Sequence, residues 1–157
     1  MQRCTDWLLT KVRKKEIGRS APNRPSGWYF EFANEFYPDI DDTAMVLLGM
    51  ENTRATNPAA QEACIKRAVA WLLAMQSRDG GWAAFDVDNN WEFLSDVPFA
   101  DHNAMLDVTC PDITGRVLEA LCRFGVPKDC SAVTRAVDYL LRTQEQDGSW
   151  WGRWGVN

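Results

Sequence analysis

Two stretches of the chain, residues 67–82 and 135–150, lie 68 positions apart and share nine of sixteen residues: Arg, Ala, Val, the Leu-Leu pair, Gln, Asp, Gly and the closing Trp. A looser echo precedes each, with Asp41, Thr43, Val46 and Leu47 recurring as Asp112, Thr114, Val117 and Leu118. Self-similarity at this period is the mark of a stacked architecture in which each unit is one supersecondary piece that cannot bury its apolar face alone. Ala63, Arg67, Ala70, Trp71 and Ala74 keep a period near 3.6 residues, so the units are predicted to be pairs of helices. Helices are expected at about 41–50, 59–75, 112–124 and 131–142, with 1–10 forming part of another. Trp7-Leu8-Leu9 resembles Trp71-Leu72-Leu73 and suggests an earlier copy that has lost its turn motif.

Each full repeat closes on Gln-x-x-Asp-Gly-x-Trp, at 76–82 and again at 144–150. A Gln amide can satisfy backbone groups at a helix end, Gly permits the reversal, and Trp can pack over the junction. These turns are therefore expected to clamp helices together. Helix pairs bury their faces against neighbours, so two units leave open ends, and the chain reads as a piece of a longer protein. Residues 83–111 lack a helical period and are aromatic and acidic, with Phe85, Asp86, Asp88, Trp91, Phe93, Phe99 and Asp101. A loop of that length is usually functional.

Composition narrows the function. Seven basic and two acidic side chains fall within residues 1–24, while the whole chain carries a net charge of -5, so the remainder is strongly acidic. That balance argues against a nucleic-acid partner. The five cysteines are scattered without a Cys-x-x-Cys spacing and read as buried thiols in a reducing compartment. With His102 the sole histidine, a histidine-based metal site or a Ser-His-Asp triad has little support, and the role of His102 itself stays open. No apolar run approaches the length of a membrane span, and no leader pattern is evident.

The chemistry concentrates in Pro38-Asp39-Ile40-Asp41-Asp42-Thr43-Ala44. Three carboxylates just ahead of an apolar run can simply place negative charge at a helix start, where the dipole favours it. Alternatively, crowded carboxylates in a poorly hydrated site cannot all ionise cheaply, so one stays protonated as a strong Brønsted acid. The residues alone select the triplet and do not choose among its members. Aromatic residues flank it: Trp28, Tyr29, Phe30, Phe32, Phe36 and Tyr37 come immediately before. An acid set in aromatic walls suits chemistry that makes carbocations.

The run 27–32, the acid motif at 36–44, the two Gln-Trp turns and Gly152-Arg153-Trp154-Gly155 together closely resemble squalene–hopene cyclases, the bacterial class II triterpene cyclases. The resemblance covers roughly residues 25–157. It implies an all-α fold of paired-helix repeats from an (α/α) toroid, with 25–157 as part of the barrel and 1–24 as a basic helix remnant and connection. It implies an isomerase-type cyclase that protonates a linear polyene, squalene or a close analogue, with no metal or organic cofactor. Asp41 would be the proton donor, with Asp39 and Asp42 as modulators. Many family members carry His where this chain has Arg116, which stays charged and so can stabilise a carboxylate but cannot shuttle protons. Asp112 matches a family carboxylate near the same network. Phe30, Tyr37, Trp82, Phe85, Phe99 and Trp154 match aromatics that line or adjoin the cavity.

The family resemblance further implies peripheral, monotopic association with membrane lipid on the cytoplasmic side, through parts outside this chain, and a homodimer as a further partnership. Oxidosqualene cyclases fit less well, because there the acid is followed by Cys and here by Asp42. A cyclase for another polyene shares the acid motif. A helical-toroid scaffold without chemistry is the reading from a different class, disfavoured by the intact carboxylate set.

Overall fold

A computed structural model describes residues 1–12, 26–30, 37–89 and 106–153. Its elements are five helices: α1 (Gln2–Lys11), α2 (Ile40–Met50), α3 (Pro58–Ala74), α4 (Pro111–Arg123) and α5 (Ser131–Thr143). The four helices expected after residue 40 are all present within one or two residues of their predicted ends. Helix α2 starts at Ile40 because Asp39 caps it: its Oδ1 accepts the backbone N–H groups of Asp41 at 2.7 Å and Asp42 at 3.1 Å. Asn57 does the same for α3, accepting from Ala60 at 3.0 Å, with Pro58 in the first turn where its missing N–H costs nothing.

Buried positions repeat at helical spacing. In α2 they are Ile40, Thr43, Ala44, Leu47 and Met50; in α4, Ile113, Thr114, Val117, Ala120 and Leu121. These two stripes face each other. Helix α3 packs behind α2, α5 behind α4, and α1 beside α3. One continuous core joins all five, with Val12 and Trp28 at one end and Ala136 at the other. This is the paired-helix layering of an (α/α) toroid.

The first Gln-Trp turn clamps helices together, and the two copies share the same internal bonds. In 76–82 the Ser77 amide donates to Gly81 O (3.0 Å), Gly80 to Ser77 O (3.1 Å) and Gly81 to Asp79 Oδ1 (3.0 Å). In 144–150 Glu145 donates to Ser149 O (2.9 Å), Gly148 to Glu145 O (3.0 Å) and Ser149 to Asp147 Oδ1 (2.9 Å). Gly80 and Gly148 sit at φ 98° and 87°, a region closed to most side chains. Gln76 spans two units: its Nε2 donates to Gly80 O and to Ala132 O of α5, each at 2.8 Å, and its Oε1 accepts from Arg135.

Three tryptophans do one job. Trp82 donates its ring N–H to Leu72 O (2.7 Å) and Trp150 to Leu140 O (2.8 Å), each ten residues back. Trp28 donates to Leu8 O at 2.9 Å, twenty residues back. The first copy has therefore kept a tryptophan that makes the turn bond, at Trp28, although the Gln and Asp-Gly of the motif do not precede it. The link is longer by ten residues, which moves the residue out of register with the other repeats. The forward half of the link also recurs. The Trp28 amide donates to Thr43 Oγ1 (2.9 Å) and the Trp82 amide to Thr114 Oγ1 (3.0 Å). Their carbonyls accept from Asp39 (2.7 Å) and Cys110 (3.1 Å), the residues that precede α2 and α4.

Candidate active site

The junction at Trp28 delivers the acid motif to the start of α2, and the junction at Trp82 delivers Asp112 and Arg116 to the start of α4 alongside it. Arg116 crosses between the two helices and donates Nη1–H to Asp41 Oδ2. The pair is partly solvated, with Asp41 27% and Arg116 46% exposed. The bond to Asp41 holds the guanidinium further toward its charged form, and the nearby Asp112 carboxylate adds to this. Asp41 Oδ1 and Asp112 Oδ1 are buried without a hydrogen-bond partner among the described residues. An unmatched buried oxygen is costly, of the order of 1–3 kcal/mol, so these two atoms mark places where a polar partner would be favoured.

The three motif carboxyls are in different environments. Asp39 is buried, at 8% exposure, and burial pushes its carboxyl up to about 6, with the Asp42 and Asp41 charges adding to the rise and the Asp42 and Asp41 amides opposing it. Asp42 is also raised, first by burial and then by the Asp41 charge. Both shifts are in the direction that burial and neighbouring like charge impose on carboxyls. Cys110, which precedes α4, is fully buried, and its thiol is pushed well up by burial and by the Asp112 charge. It is an inert thiol that keeps negative charge away from Asp112.

Of the aromatics, Phe30 (77% exposed) and Tyr37 (63%) stand free beside the acid motif, and Phe85 is also exposed. Trp82 differs: it is 0% exposed, its ring N–H is used by Leu72, and it has no free face here to offer a ligand. It belongs to the helix junction. Phe99, His102 and Trp154 lie outside the described residues. Arg153 donates to Leu106 O, in the segment leading into α4.

Sequence reasoning missed Asp107. It lies near the end of the aromatic, acidic loop that leads into α4, and its carboxylate accepts the backbone N–H groups of Ala84 (3.1 Å), Phe85 (2.5 Å) and Asp86 (2.6 Å). A carboxylate that reaches back more than twenty residues to main chain leaves no periodic signal, and only its place in an acidic loop could have drawn attention to it. Among the described residues no cluster of His, Cys, Asp and Glu is placed to hold a metal ion, and no helix is long and apolar enough to cross a membrane.

Comparison with known proteins gives the family. The family described as "Squalene-hopene cyclase C-terminal domain" matches residues 1–157. A squalene-hopene cyclase of Schizosaccharomyces japonicus is 41% identical over 161 residues, covering 100% of this chain and 24% of the relative. One from Zymomonas mobilis is 43% identical, covering 96% and 24%. A dammaradiene synthase of Dryopteris crassirhizoma is 38% identical, covering 100% and 25%. The chain spans about a quarter of the length of the curated relatives it matches.

Proposed function

Because the chain belongs to the squalene–hopene cyclase family, matched along its whole length to the C-terminal domain, we propose that the protein carrying it cyclises squalene to pentacyclic hopene or hopanol. The observation that carries this reading is the acid cluster on α2 with Asp41 held by Arg116 of α4. Alkene protonation needs a donor whose conjugate base is stabilised in a site that excludes water. Asp41 is the donor. Arg116 occupies Oδ2, which leaves Oδ1 for the proton that is given up, and the guanidinium then faces a full carboxylate. Burial raises the Asp39 and Asp42 carboxyls, which lessens the negative charge they place beside the donor as pH falls. Asp112, one turn earlier on the same helix, adds negative charge that favours the Arg116 cation.

As rings close, positive charge moves along the chain, and aromatic faces stabilise it without capturing it as a lone pair would. Phe30, Tyr37 and Phe85 are the wall residues whose exposed rings support that role. Phe99 and Trp154 complete the wall on the family resemblance. The reaction is an isomerisation, or hydration when water ends it, and takes up no redox equivalents. A substrate this insoluble supports a peripheral position on the cytoplasmic side of the membrane for the whole protein.

The test is to incubate the full-length protein with squalene in detergent and identify products by gas chromatography with mass detection. Pentacyclic products are expected, and Asp41→Asn should abolish them while the helical circular dichroism is retained. Normal turnover by that variant would refute the acid assignment. Conversion of another polyene in place of squalene would move the substrate and keep the acid.

A further inference from the structure

The Asp107 carboxylate has its acceptor capacity committed to one stretch of main chain. Its Oδ1 takes the Ala84 N–H, and its Oδ2 takes those of Phe85 and Asp86. Three converging amides around a carboxylate make charge-assisted bonds, which are about twice as strong as neutral ones. Asp107 is itself held by an antiparallel bridge to Asn89, whose Nδ2 donates to Asp86 Oδ2 at 2.9 Å. Asp88, at φ 56°, closes the turn by donating its N–H to Ser77 Oγ at 3.1 Å and accepting that of Arg78 at 2.8 Å. From Ala84 the brace runs on to the acid helix: its carbonyl accepts the N–H of Ile40, the first residue of α2, at 2.8 Å.

We propose that Asp107 is a positioning residue that fixes the exposed Phe85 ring relative to the Asp41 acid, and thereby governs how far cyclisation proceeds once started. The inference rests on the cyclase reading. Asp107 touches neither the proton donor nor Arg116, so initiation does not depend on it directly. Phe85 does depend on it, through its own amide and those of both neighbours. An aromatic face stabilises a passing cation only when the charge comes over the ring, so a displaced Phe85 ends the reaction early. An ordinary structural aspartate predicts a different result, because loss of folded protein lowers every product in proportion.

The test uses the full-length protein bearing Asp107→Asn, which keeps the shape but turns an NH2 group toward amides that need an acceptor. Asp129→Asn, at an exposed aspartate, serves as the control. Hydrogen exchange at Ala84, Phe85 and Asp86 should quicken roughly tenfold in Asp107→Asn and stay unchanged in the control. Squalene consumption should persist while the share of products with fewer rings rises several-fold. An unchanged product ratio in an active Asp107→Asn enzyme overturns the positioning role, as does unchanged exchange at the three amides. A wild-type protein inert toward every polyene instead refutes the cyclase reading, and with it the claim that the brace serves a cavity.

Discussion

Replacing Asp39 by Asn should stabilise the fold at neutral pH, although it removes a charged helix cap. The Asp39 carboxyl is raised from 3.8 to about 6 in the folded chain, chiefly by burial, despite two amides that favour its ionised form. Well below pH 3.8 the group is protonated both folded and unfolded, and it contributes no pH-dependent penalty. As pH rises toward 6 the unfolded chain ionises first, and the folded state loses ground until its own carboxyl ionises. A rise of about two units corresponds to about 3 kcal/mol, reached by pH 7. Asparagine keeps an oxygen for the amides of Asp41 and Asp42 and never has to ionise. Relative to wild type, Asp39→Asn should therefore gain up to about 3 kcal/mol above pH 7 and nearly nothing at pH 3.5.

Urea unfolding of the 157-residue chain and its variant, followed by helical circular dichroism from pH 3.5 to 8, reads this difference. The other carboxyls are common to both proteins and drop out, apart from their repulsion with Asp39, which acts in the same direction. Carbon-13 titration of the Asp39 carboxyl supplies a direct check, with a midpoint near 6 expected. A midpoint at or below 4, or a stability gap that does not change with pH, would refute the argument that burial outweighs the cap.

Arg116→Gln should slow squalene consumption by the full-length protein and leave product identity mostly unchanged. Since the ion pair with Asp41 is partly solvated, its effect on the urea midpoint should stay within about 1 kcal/mol. A shifted product spectrum at an unaltered rate would put Arg116 in the cavity wall instead. Two glycine-to-alanine changes should act in opposite directions in the same unfolding assay. A Cβ on Gly81 would come within 2.9 Å of Thr109 Cβ and of the Tyr139 ring, so Gly81→Ala should cost about 1–3 kcal/mol. A Cβ on Gly49, inside α2, meets nothing within 4 Å, so Gly49→Ala should stabilise by about 0.5–1 kcal/mol. Equal effects at the two positions would contradict the packing described for the turn.

The helices were legible because their signals are local. Spacing of apolar residues, Asn57-Pro58 ahead of α3 and the Asp-Gly turns each act within a few positions. Features that depend on distant partners were harder to read. Trp28 performs the same bond as Trp82 and Trp150, but its donor-to-acceptor spacing is twice theirs, so a fixed-period comparison passes over it. The shared threonines Thr43 and Thr114 were visible as a loose repeat, while their task of catching a tryptophan amide from the preceding turn was not. Trp82 shows the limit for aromatics: a ring in a loop reads alike in sequence whether it faces a cavity or fills a junction, and only burial distinguishes the two. Asp39, Asp41 and Asp42 stood out as a group. Their division into a buried cap, an Arg-paired carboxylate and a third, raised neighbour required the helix start and α4 to be in place.

The junction tryptophans also determine how disorder travels. Each described link at Trp28 and Trp82 joins the end of one helix, through the indole, to the beginning of another, through its backbone. Fraying at the end of α1 or α3 therefore withdraws an anchor from the first turn of α2 or α4. Opening is coupled between neighbours, as in a chain of linked two-state elements. Both halves of the ion pair, Asp41 and Arg116, sit in first turns or just beyond them. A substitution remote from the pair, such as one at Leu8 that displaces the carbonyl accepting from Trp28, can thus lower the fraction of time for which Asp41 and Arg116 are in register, with both side chains still present.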